Sequence, residues 1–284
     1  MHLTTTRLRR VAVAAATAAA LALAAAPAPG AHAAAVMPPD LSGLLPATSP
    51  PGANDFTCTP TAAHPSPVVL VHGTFEDATE NWSLVAPQIK AAGYCVFALE
   101  YGNRGTGDIP TSAGQLKRFV DAVLAATGAR KVSLVGHSQG GMMPRWYIKF
   151  LGGAANVDDL VGLAPSNHGT TSPGAFATGA TFCEACEQQS AGSAFLQQLN
   201  AGDETPGAVS YTVVETRYDE VVTPFTSAFL APGPNTANIL LQDACPAEVI
   251  DHHEMPNDGL AIRWALQALG QPGPADPAHP PSCI

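Results

Sequence analysis

The sequence predicts an α/β fold with a mostly parallel central sheet and helices on both faces. Six short runs of β-branched and aliphatic residues show no polar alternation, which is typical of strands buried on both faces of a parallel sheet. Helix-like stretches separate these runs, with apolar residues three and four positions apart. Strands that alternate with helices along a chain favour this fold class.

The strand predictions come from the apolar runs themselves. The six predicted strands are 68–71, 95–99, 132–135, 160–163, 211–214 and 238–241. The clearest helix is 112–127, which Ser112 is expected to cap and Gly128 to end. Two further apolar helix faces are predicted at 82–92 and 260–269.

The first 33 residues have the pattern of a secretory signal peptide. Arg7, Arg9 and Arg10 precede an apolar run at 11–26, and Ala31-His32-Ala33 is a small-x-small cleavage site. Cleavage after Ala35 fits equally well. The apolar run is short and rich in alanine, and no other stretch suits a membrane span, so we expect a secreted protein without integral membrane association.

The charge balance bears on possible partners. The chain has 13 basic and 23 acidic residues, a net charge of -10 that becomes -13 once the three leader arginines are removed. Such a chain is poorly suited to bind nucleic acid or anionic membranes. We therefore expect no nucleic-acid partner, and a monomer whose partner is its substrate.

The 251 residues after the leader suit one large domain. We expect a proline-rich arm at 34–66, a catalytic domain at 67–270 and a proline-rich tail at 271–284. Residues 165–190 are rich in glycine, serine and threonine, and they form a candidate lid or binding loop over the site.

Six cysteines follow the leader, an even number that predicts three disulfides in an exported protein. Fifteen pairings are possible, and the preferred set is Cys58 with Cys95, Cys183 with Cys186, and Cys245 with Cys283. Cys183 and Cys186 could instead be half of a zinc site, but no second pair at metal-like spacing accompanies them.

The segment Gly136-His137-Ser138-Gln139-Gly140 follows a predicted strand and precedes a helix-like stretch. A serine between glycines at such a turn is typical of a nucleophile elbow, where any larger side chain at the glycine positions would collide with neighbouring backbone. The turn exposes the Ser138 hydroxyl and directs the backbone N–H of Gln139 toward the same space, as one donor of an oxyanion hole.

A serine nucleophile needs a histidine base and a carboxylate that orients it, and in the α/β-hydrolase fold both follow the serine in the order acid, then histidine. Asp219 fits the acid because it lies a few residues beyond the strand at 211–214. Glu215 and Glu220 are the competing carboxyls. The base is expected between the last strand and the last helix, where His252 and His253 are adjacent alternatives.

The second oxyanion donor should lie in the turn after the first strand. That turn is His72-Gly73-Thr74-Phe75, and the N–H of Thr74, together with its hydroxyl, is the expected donor. We expect His64, His72 and His279 to be structural or loop residues, and His168 to be a hydrogen-bonded loop residue near the site.

Four segments resemble the lipase class 2 family of secreted bacterial triacylglycerol lipases: PVVLVHGT at 67–74, GHSQGG at 136–141, YDEVVTP at 218–224 and Asp251-His252. In that family the residue after this aspartate is the base, and another aspartate follows the histidine by six positions. Asp258 takes that place here and selects His252. The resemblance spans roughly residues 58–270 and implies cleavage of acyl esters, triacylglycerols among them, without an organic cofactor; the sequence points to no metal site.

The expected function is therefore that of a secreted serine ester hydrolase. Ser138 would attack the ester carbonyl and His252 would pass the proton to the leaving alcohol. An esterase, a polyester depolymerase or an acyltransferase would use the same residues. An inactive secreted binding protein is the alternative from another class, but the intact Ser, Asp and His in this order argue against it.

Overall fold

Each predicted apolar run forms a strand of one sheet. The computed structural model describes residues 41–172 and 183–283, together with His2. Over these residues the sheet has six strands: β1 (Val68–Val71), β2 (Val96–Leu99), β3 (Val132–His137), β4 (Val157–Leu163), β5 (Ser210–Glu215) and β6 (Thr236–Leu240). All neighbours pair in parallel, in the order β2-β1-β3-β4-β5-β6. This confirms the predicted fold class.

The helices connect the strands across the two faces of the sheet. They are α1 (Ala78–Trp82), α2 (Val85–Ala91), α3 (Gly102–Gly105), α4 (Ile109–Thr127), α5 (Gln139–Met142), α6 (Pro144–Phe150), α7 (Glu184–Gln188), α8 (Ala194–Asn200), α9 (Leu241–Ala244) and α10 (Gly259–Leu269). Short 3-10 turns lie at Gly153–Ala155, Phe225–Ala228 and Met255–Asn257. None of the helices in the described ranges is long and apolar enough to cross a bilayer.

The predicted start of α4 is wrong by one turn. Asp108 is the N-cap, and its carboxylate accepts a hydrogen bond from the backbone N–H of Thr111, while Ser112 is a buried residue inside the helix. Pro110 lies in the first turn, where its missing N–H costs nothing. Gly128 ends the helix in the left-handed conformation, as predicted.

Residues of β1 to β5 contribute to two separate cores, one on either face of the sheet, and β6 contributes to one of them. Val69 and Val71 of β1 pack with α4 and α6 on one face, and Val68 and Leu70 pack with α1, α2 and α10 on the other. This alternation follows the two-residue period of a strand. Both faces are covered at β1 to β5, which explains why the sequences of these strands are mainly apolar.

The described part of the N-terminal arm contributes to the core. Residues 41–66 have no helix or strand, but Leu41, Leu44 and Phe56 are buried, and the Phe56 ring lies 5.0 Å from that of Phe97. The high proline content and lack of periodicity predict an arm that only wraps over the surface, and the burial of these apolar side chains corrects that prediction. The predicted signal peptide at 1–33 lies outside the described residues, His2 excepted.

Three disulfides join the six cysteines, in the preferred pairing: Cys58–Cys95, Cys183–Cys186 and Cys245–Cys283. The first fastens the arm to the sheet just before β2, and the last fastens the tail to the end of α9. The zinc alternative for Cys183 and Cys186 is wrong, because sulfurs joined to each other are not available as thiolate ligands.

Candidate active site

The carboxyl ends of the central strands bring the predicted site residues to one edge of the sheet. Val71, the last residue of β1, pairs with Gly136 of β3, so the turn at 72–75 and the elbow at Ser138 begin side by side. His137 at the end of β3 pairs with Leu163, and Leu163 pairs with Val214 of β5. Open α/β sheets hold their sites at this edge.

The elbow has the strained geometry expected of its sequence. Ser138 has φ 54° and ψ -123°, a conformation that a non-glycine residue adopts only when the surrounding structure enforces it. A Cβ atom at Gly136 would overlap the backbone carbonyl of Gly140, and one at Gly140 would overlap the carbonyls of Val71 and His72. Only glycine at both positions lets α5 start this close to β1 and β3.

Asp219 and His252 are in direct contact. His252 Nδ1 lies 2.7 Å from Asp219 Oδ2, and both side chains are almost entirely buried. Asp219 Oδ1 accepts hydrogen bonds from the backbone N–H groups of Val221 and Val222. With Asp219 as acceptor, Nδ1 of His252 carries the proton and Nε2 is left as a base.

The environment distinguishes Asp219 from the two competing carboxyls. Glu215 ends β5 and is fully buried, and burial, reinforced by the negative charge of Asp219, raises its pKa well above the usual range. The neutral form of Glu215 is therefore favoured, which does not suit an orienting carboxylate. Glu220 is exposed, and its carboxylate contacts the backbone N–H of His252 at 3.4 Å rather than the ring.

The adjacent histidines differ in exposure and contact. His252 is buried, whereas His253 is exposed and meets the His252 ring edge-on at a centroid distance of 5.6 Å. Asp258, six residues after His252, caps the N-terminus of α10 by accepting the N–H of Ala261 at 2.7 Å. This cap fixes where the loop that carries the histidines must end.

Polar side chains that the sequence analysis did not single out join the loop of Asp219 to the loop of His252. The Thr216 hydroxyl donates to the carbonyl of Ile250 at 2.9 Å, and it accepts from the amide of Gln242 at 2.9 Å. Gln242 also accepts the N–H of Arg217. The two loops are thereby held in register, although about thirty residues separate them in the sequence.

The predicted oxyanion turn, residues 72–75, contacts the elbow through the Thr74 hydroxyl. Thr74 Oγ1 accepts hydrogen bonds from the side-chain amides of Gln139, at 2.8 Å, and Gln189, at 3.0 Å. Among the described residues no backbone acceptor is found for the N–H of Thr74, and the N–H of Gln139 opens α5 without an intrahelical acceptor. Gln189 has no motif that would identify it from sequence.

Two further residues beside the site are His137, which is buried, and Glu76, whose side chain is partly exposed. His137 Nδ1 lies 2.9 Å from Glu76 Oε2, and His137 Nε2 lies 2.9 Å from the backbone oxygen of His252. The Glu76 carboxylate also accepts the N–H of Gly73 at 2.8 Å. Because 61 residues separate Glu76 from His137, no local pattern predicts this contact.

The four histidines that the sequence predicts to be structural or loop residues each contact a neighbouring group. His64 packs on Tyr94, His72 stacks on Tyr101, and His279 contacts Asp276 at 2.6 Å. His168 lies 3.0 Å from a Glu204 oxygen and 3.1 Å from the backbone oxygen of Ser227. Within residues 41–172 and 183–283, no group of three histidine, cysteine or acidic side chains could hold a metal ion.

The two ends of the candidate lid at 165–190 are fastened beside the site. Ser166 and Gln189 are buried and share a 2.8 Å hydrogen bond, and Thr170 pairs with the backbone of Gln189 and Ala191. Gln189 in turn contacts Thr74 in the oxyanion turn. Residues 173–182, the middle of this segment, lie outside the described part of the chain, and the lid stays a prediction.

Comparison with known proteins places this site in a family. The family model for Lipase (class 2) matches residues 65–265. A triacylglycerol lipase from Burkholderia plantarii is 38% identical over 123 residues, which are 41% of this chain and 34% of that protein. Lipase B from Pseudozyma antarctica is 30% identical over 229 residues, 74% of this chain and 65% of that protein. The chain thus spans about a third of the bacterial relative and just under two thirds of the fungal one.

Solved structures share the architecture. Lipase B from Aspergillus fumigatus has a TM-score of 0.71 at 22% identity, over 84% of this chain and 58% of that one. The mature form of lipase BlEst2 from Bacillus licheniformis has a TM-score of 0.60 at 18% identity, over 74% of this chain and 94% of that one. The family match includes the elbow and the loops of Asp219 and His252, and it covers more than half of the chain. This chain is therefore a member of the class 2 lipase family and has the α/β-hydrolase fold.

Proposed function

We propose that this protein is a secreted carboxylic ester hydrolase, a triacylglycerol lipase, that works through an acyl-enzyme with Ser138 as nucleophile, His252 as base and Asp219 as the orienting acid. The observation that carries the proposal is the buried 2.7 Å contact between Asp219 and His252, in a class 2 lipase whose elbow holds Ser138 at φ 54°. The signal-peptide pattern and the three disulfides support secretion.

The resting state of His252 suits a general base. Burial lowers its pKa below the usual range, and the nearby charges of His137 and His253 act in the same direction, against the hydrogen bond with Asp219. The ring is therefore neutral near pH 7. Its Nε2 takes the proton of Ser138 Oγ as that oxygen attacks the ester carbonyl, and Asp219 stabilises the resulting imidazolium.

Three donors are available for the negative charge that develops on the carbonyl oxygen: the backbone N–H groups of Thr74 and Gln139, and the Thr74 hydroxyl. Thr74 Oγ1 already accepts two amide hydrogen bonds, from Gln139 and Gln189, which occupy its lone pairs. Its own proton is left to donate to the substrate. These donors are fixed before the substrate arrives, so they stabilise the tetrahedral intermediate without reorganisation.

Two steps complete the reaction: formation of the acyl-enzyme and its hydrolysis. The imidazolium of His252 returns its proton to the leaving alcohol as the bond between carbonyl carbon and alkoxy oxygen breaks, which leaves the acyl group on Ser138. Water attacks that acyl group while His252 takes one of its protons. The carboxylic acid leaves, and Ser138 regains its proton from His252.

The substrate class is tested by comparing hydrolysis of p-nitrophenyl esters of increasing chain length, a triolein emulsion and a polyester film. A triacylglycerol lipase hydrolyses triolein, and Ser138→Ala abolishes that activity while the fold is retained. Activity on short soluble esters without release of oleate would indicate an esterase, and release of monomers from the film a depolymerase. Preferred transfer of the acyl group to an added alcohol would indicate an acyltransferase.

A further inference from the structure

His137, the residue before the nucleophile, has an acceptor at each ring nitrogen. Nε2 faces the backbone carbonyl oxygen of His252, which can only accept, so this nitrogen must carry a proton. Nδ1 faces the Glu76 carboxylate, which also accepts when it is ionised. A neutral imidazole has one N–H and can satisfy only one of these contacts, whereas an imidazolium satisfies both.

A third neighbour of the His137 ring, Asn81, is consistent with a proton on both ring nitrogens. The side-chain amide of Asn81 lies 3.2 Å from His137 Nδ1, and its oxygen has no partner among the described residues. If the amide is turned so that its oxygen faces the ring, that oxygen becomes a second acceptor for the N–H of Nδ1. His137 is fully buried, and a charged ring there needs such close partners.

Glu76 links the three backbone segments of the site. Its Oε2 atom accepts from Gly73 in the oxyanion turn and contacts His137 beside the nucleophile, and His137 reaches the backbone of His252. A Cβ atom at Gly73 would collide with the Glu76 carboxylate, so a larger residue there would displace this carboxylate from its contact with the turn.

We infer that the partly exposed Glu76 and the buried His137 form a carboxylate–imidazolium pair that positions the oxyanion turn, the elbow and the His252 loop relative to one another and keeps His252 neutral for its role as base. The inference deepens the proposed function and rests on it, because it assigns the pair its role at His252. Both members are positioning residues, since they act through the backbone of Gly73 and His252 and not by contact with the substrate.

The charges around the pair support this assignment. Burial opposes ionisation of Glu76, but the His137 charge and its hydrogen bond, with the N–H of Gly73 and the charge of His72, bring the Glu76 pKa down to about 2. Burial likewise opposes a charged His137, but Glu76, the carbonyl of His252 and the charge of Asp219 raise the His137 pKa above the usual range. The two residues each favour the ionised state of the other.

The consequence for His252 follows from the groups that face it. These are Asp219 at 2.7 Å, the His137 ring with its centroid at 5.0 Å, the His253 ring at 5.6 Å, and Glu220, whose carboxylate contacts the His252 backbone. A positive His137 disfavours a second positive ring beside it, so it lowers the pKa of His252. Loss of the His137 charge should therefore raise that pKa.

Two variants and one control test the role of the Glu76–His137 pair at His252. His137→Gln retains a donor for the His252 carbonyl but removes the charge, and Glu76→Gln removes the counter-ion with little change of shape. For each we expect the acidic limb of the kcat/KM profile on a soluble ester to move to higher pH by about half a unit or more. We expect kcat to fall roughly tenfold while KM changes less than about twofold, because positioning acts in the transition state. Glu204→Gln alters a different carboxylate–histidine pair, His168–Glu204, and is the control. It should leave the acidic limb of the kcat/KM profile at its wild-type pH.

The ring itself is observed in the wild-type protein by 15N NMR of histidine side chains, so the test does not depend on a variant that folds. We expect both His137 ring nitrogens to carry protons at pH 7. A neutral His137 ring near pH 7 would overturn the inference, as would folded variants with the wild-type acidic limb.

Labelling of Ser138 by a fluorophosphonate probe distinguishes failure of the proposed function from failure of the proposed Glu76–His137 pair. A charged His137 without labelling counts against the proposed function, and labelling with a neutral His137 counts against the pair alone.

Discussion

Asp219 holds His252 with one oxygen and is itself held by the other. Oδ2 lies 2.7 Å from His252 Nδ1, while Oδ1 accepts the backbone N–H groups of Val221 and Val222 at 2.8 and 2.7 Å. The carboxylate therefore cannot rotate without breaking several hydrogen bonds. This fixed orientation sets the tautomer of His252 and directs its Nε2 away from Asp219.

The first prediction concerns the two adjacent histidines. His252→Ala should lose roughly 10³-fold or more in kcat/KM, because it removes the base. His253→Ala should stay within about tenfold of the wild-type value, since His253 is exposed and only contacts the His252 ring edge-on. Both are measured on a soluble ester after circular dichroism has established that the variants are folded. A severe loss at 253 with activity retained at 252 would reverse the assignment.

The second prediction concerns the Thr74 hydroxyl. Thr74→Val should lower kcat on the order of 10²-fold with a small change in KM, because the lost donor acts on the charge of the tetrahedral intermediate. Thr74→Ser keeps a hydroxyl that can accept from Gln139 and Gln189, and it is the matched control. If Val and Ser variants were equally active, the hydroxyl would not be an oxyanion donor.

The third prediction is a dependence of stability on pH that arises far from the site. Asp159 in β4 is buried against the Ser133 hydroxyl, and burial raises its pKa from 3.8 to about 7. Because the folded pKa lies above the unfolded one, the stability contributed by the neutral carboxyl is fully present below about pH 4. It is lost as the pH rises toward about 7.

Asp159→Asn should therefore stabilise the protein at pH 8 by on the order of 1 to 3 kcal/mol and have little effect at pH 4. Denaturant unfolding at the two pH values measures the difference. Asp158→Asn is the control, since Asp158 is half-exposed and pairs with Lys131 at the surface. Equal effects of the Asp159 substitution at both pH values would show that Asp159 does not titrate in this range.

The fourth prediction compares two disulfides. Cys58–Cys95 spans 37 positions and fastens the arm to the sheet, whereas Cys183–Cys186 spans 3. Replacing both cysteines of the first by alanine should cost about 3 to 4 kcal/mol, and the same change in the second roughly half as much, if the main effect is on the unfolded chain. Scanning calorimetry gives the Tm of each variant. The variant without Cys58–Cys95 should have a lower Tm but nearly wild-type ester hydrolysis when the assay is run in the cold, where the protein is folded. A larger loss for the second pair, or free thiols in the native protein, would contradict this.

Much of the fold could be predicted because its signals are local. Each strand contains a short, mainly apolar run, since the faces of a parallel sheet are covered, and Gly136 and Gly140 mark the sharp turn by themselves. The start of α4 was misplaced because its apolar period begins after the first turn, while the cap, Asp108, is an ordinary polar residue in the sequence. Burial of Phe56 was missed because an isolated aromatic residue in a proline-rich segment has no period.

The site could be predicted only in part, for a related reason. Ser138, Asp219 and His252 follow a fixed chain order that local motifs mark, whereas their supports are contacts between distant segments. Thr216 with Ile250, and Thr74 with Gln189, are joined by single hydrogen bonds of polar side chains. Such residues have no composition or spacing that distinguishes them from surface residues until the chain is folded.

The central claim is that Ser138 is a nucleophile activated by His252. The most direct test is mass spectrometry of the native protein after reaction with a fluorophosphonate probe, which forms a covalent bond only with an activated serine. We expect one adduct per chain, on the peptide that contains Ser138, and loss of the adduct in the folded His252→Ala variant. An unlabelled native protein, a label on another serine, or undiminished labelling without His252 would contradict the account.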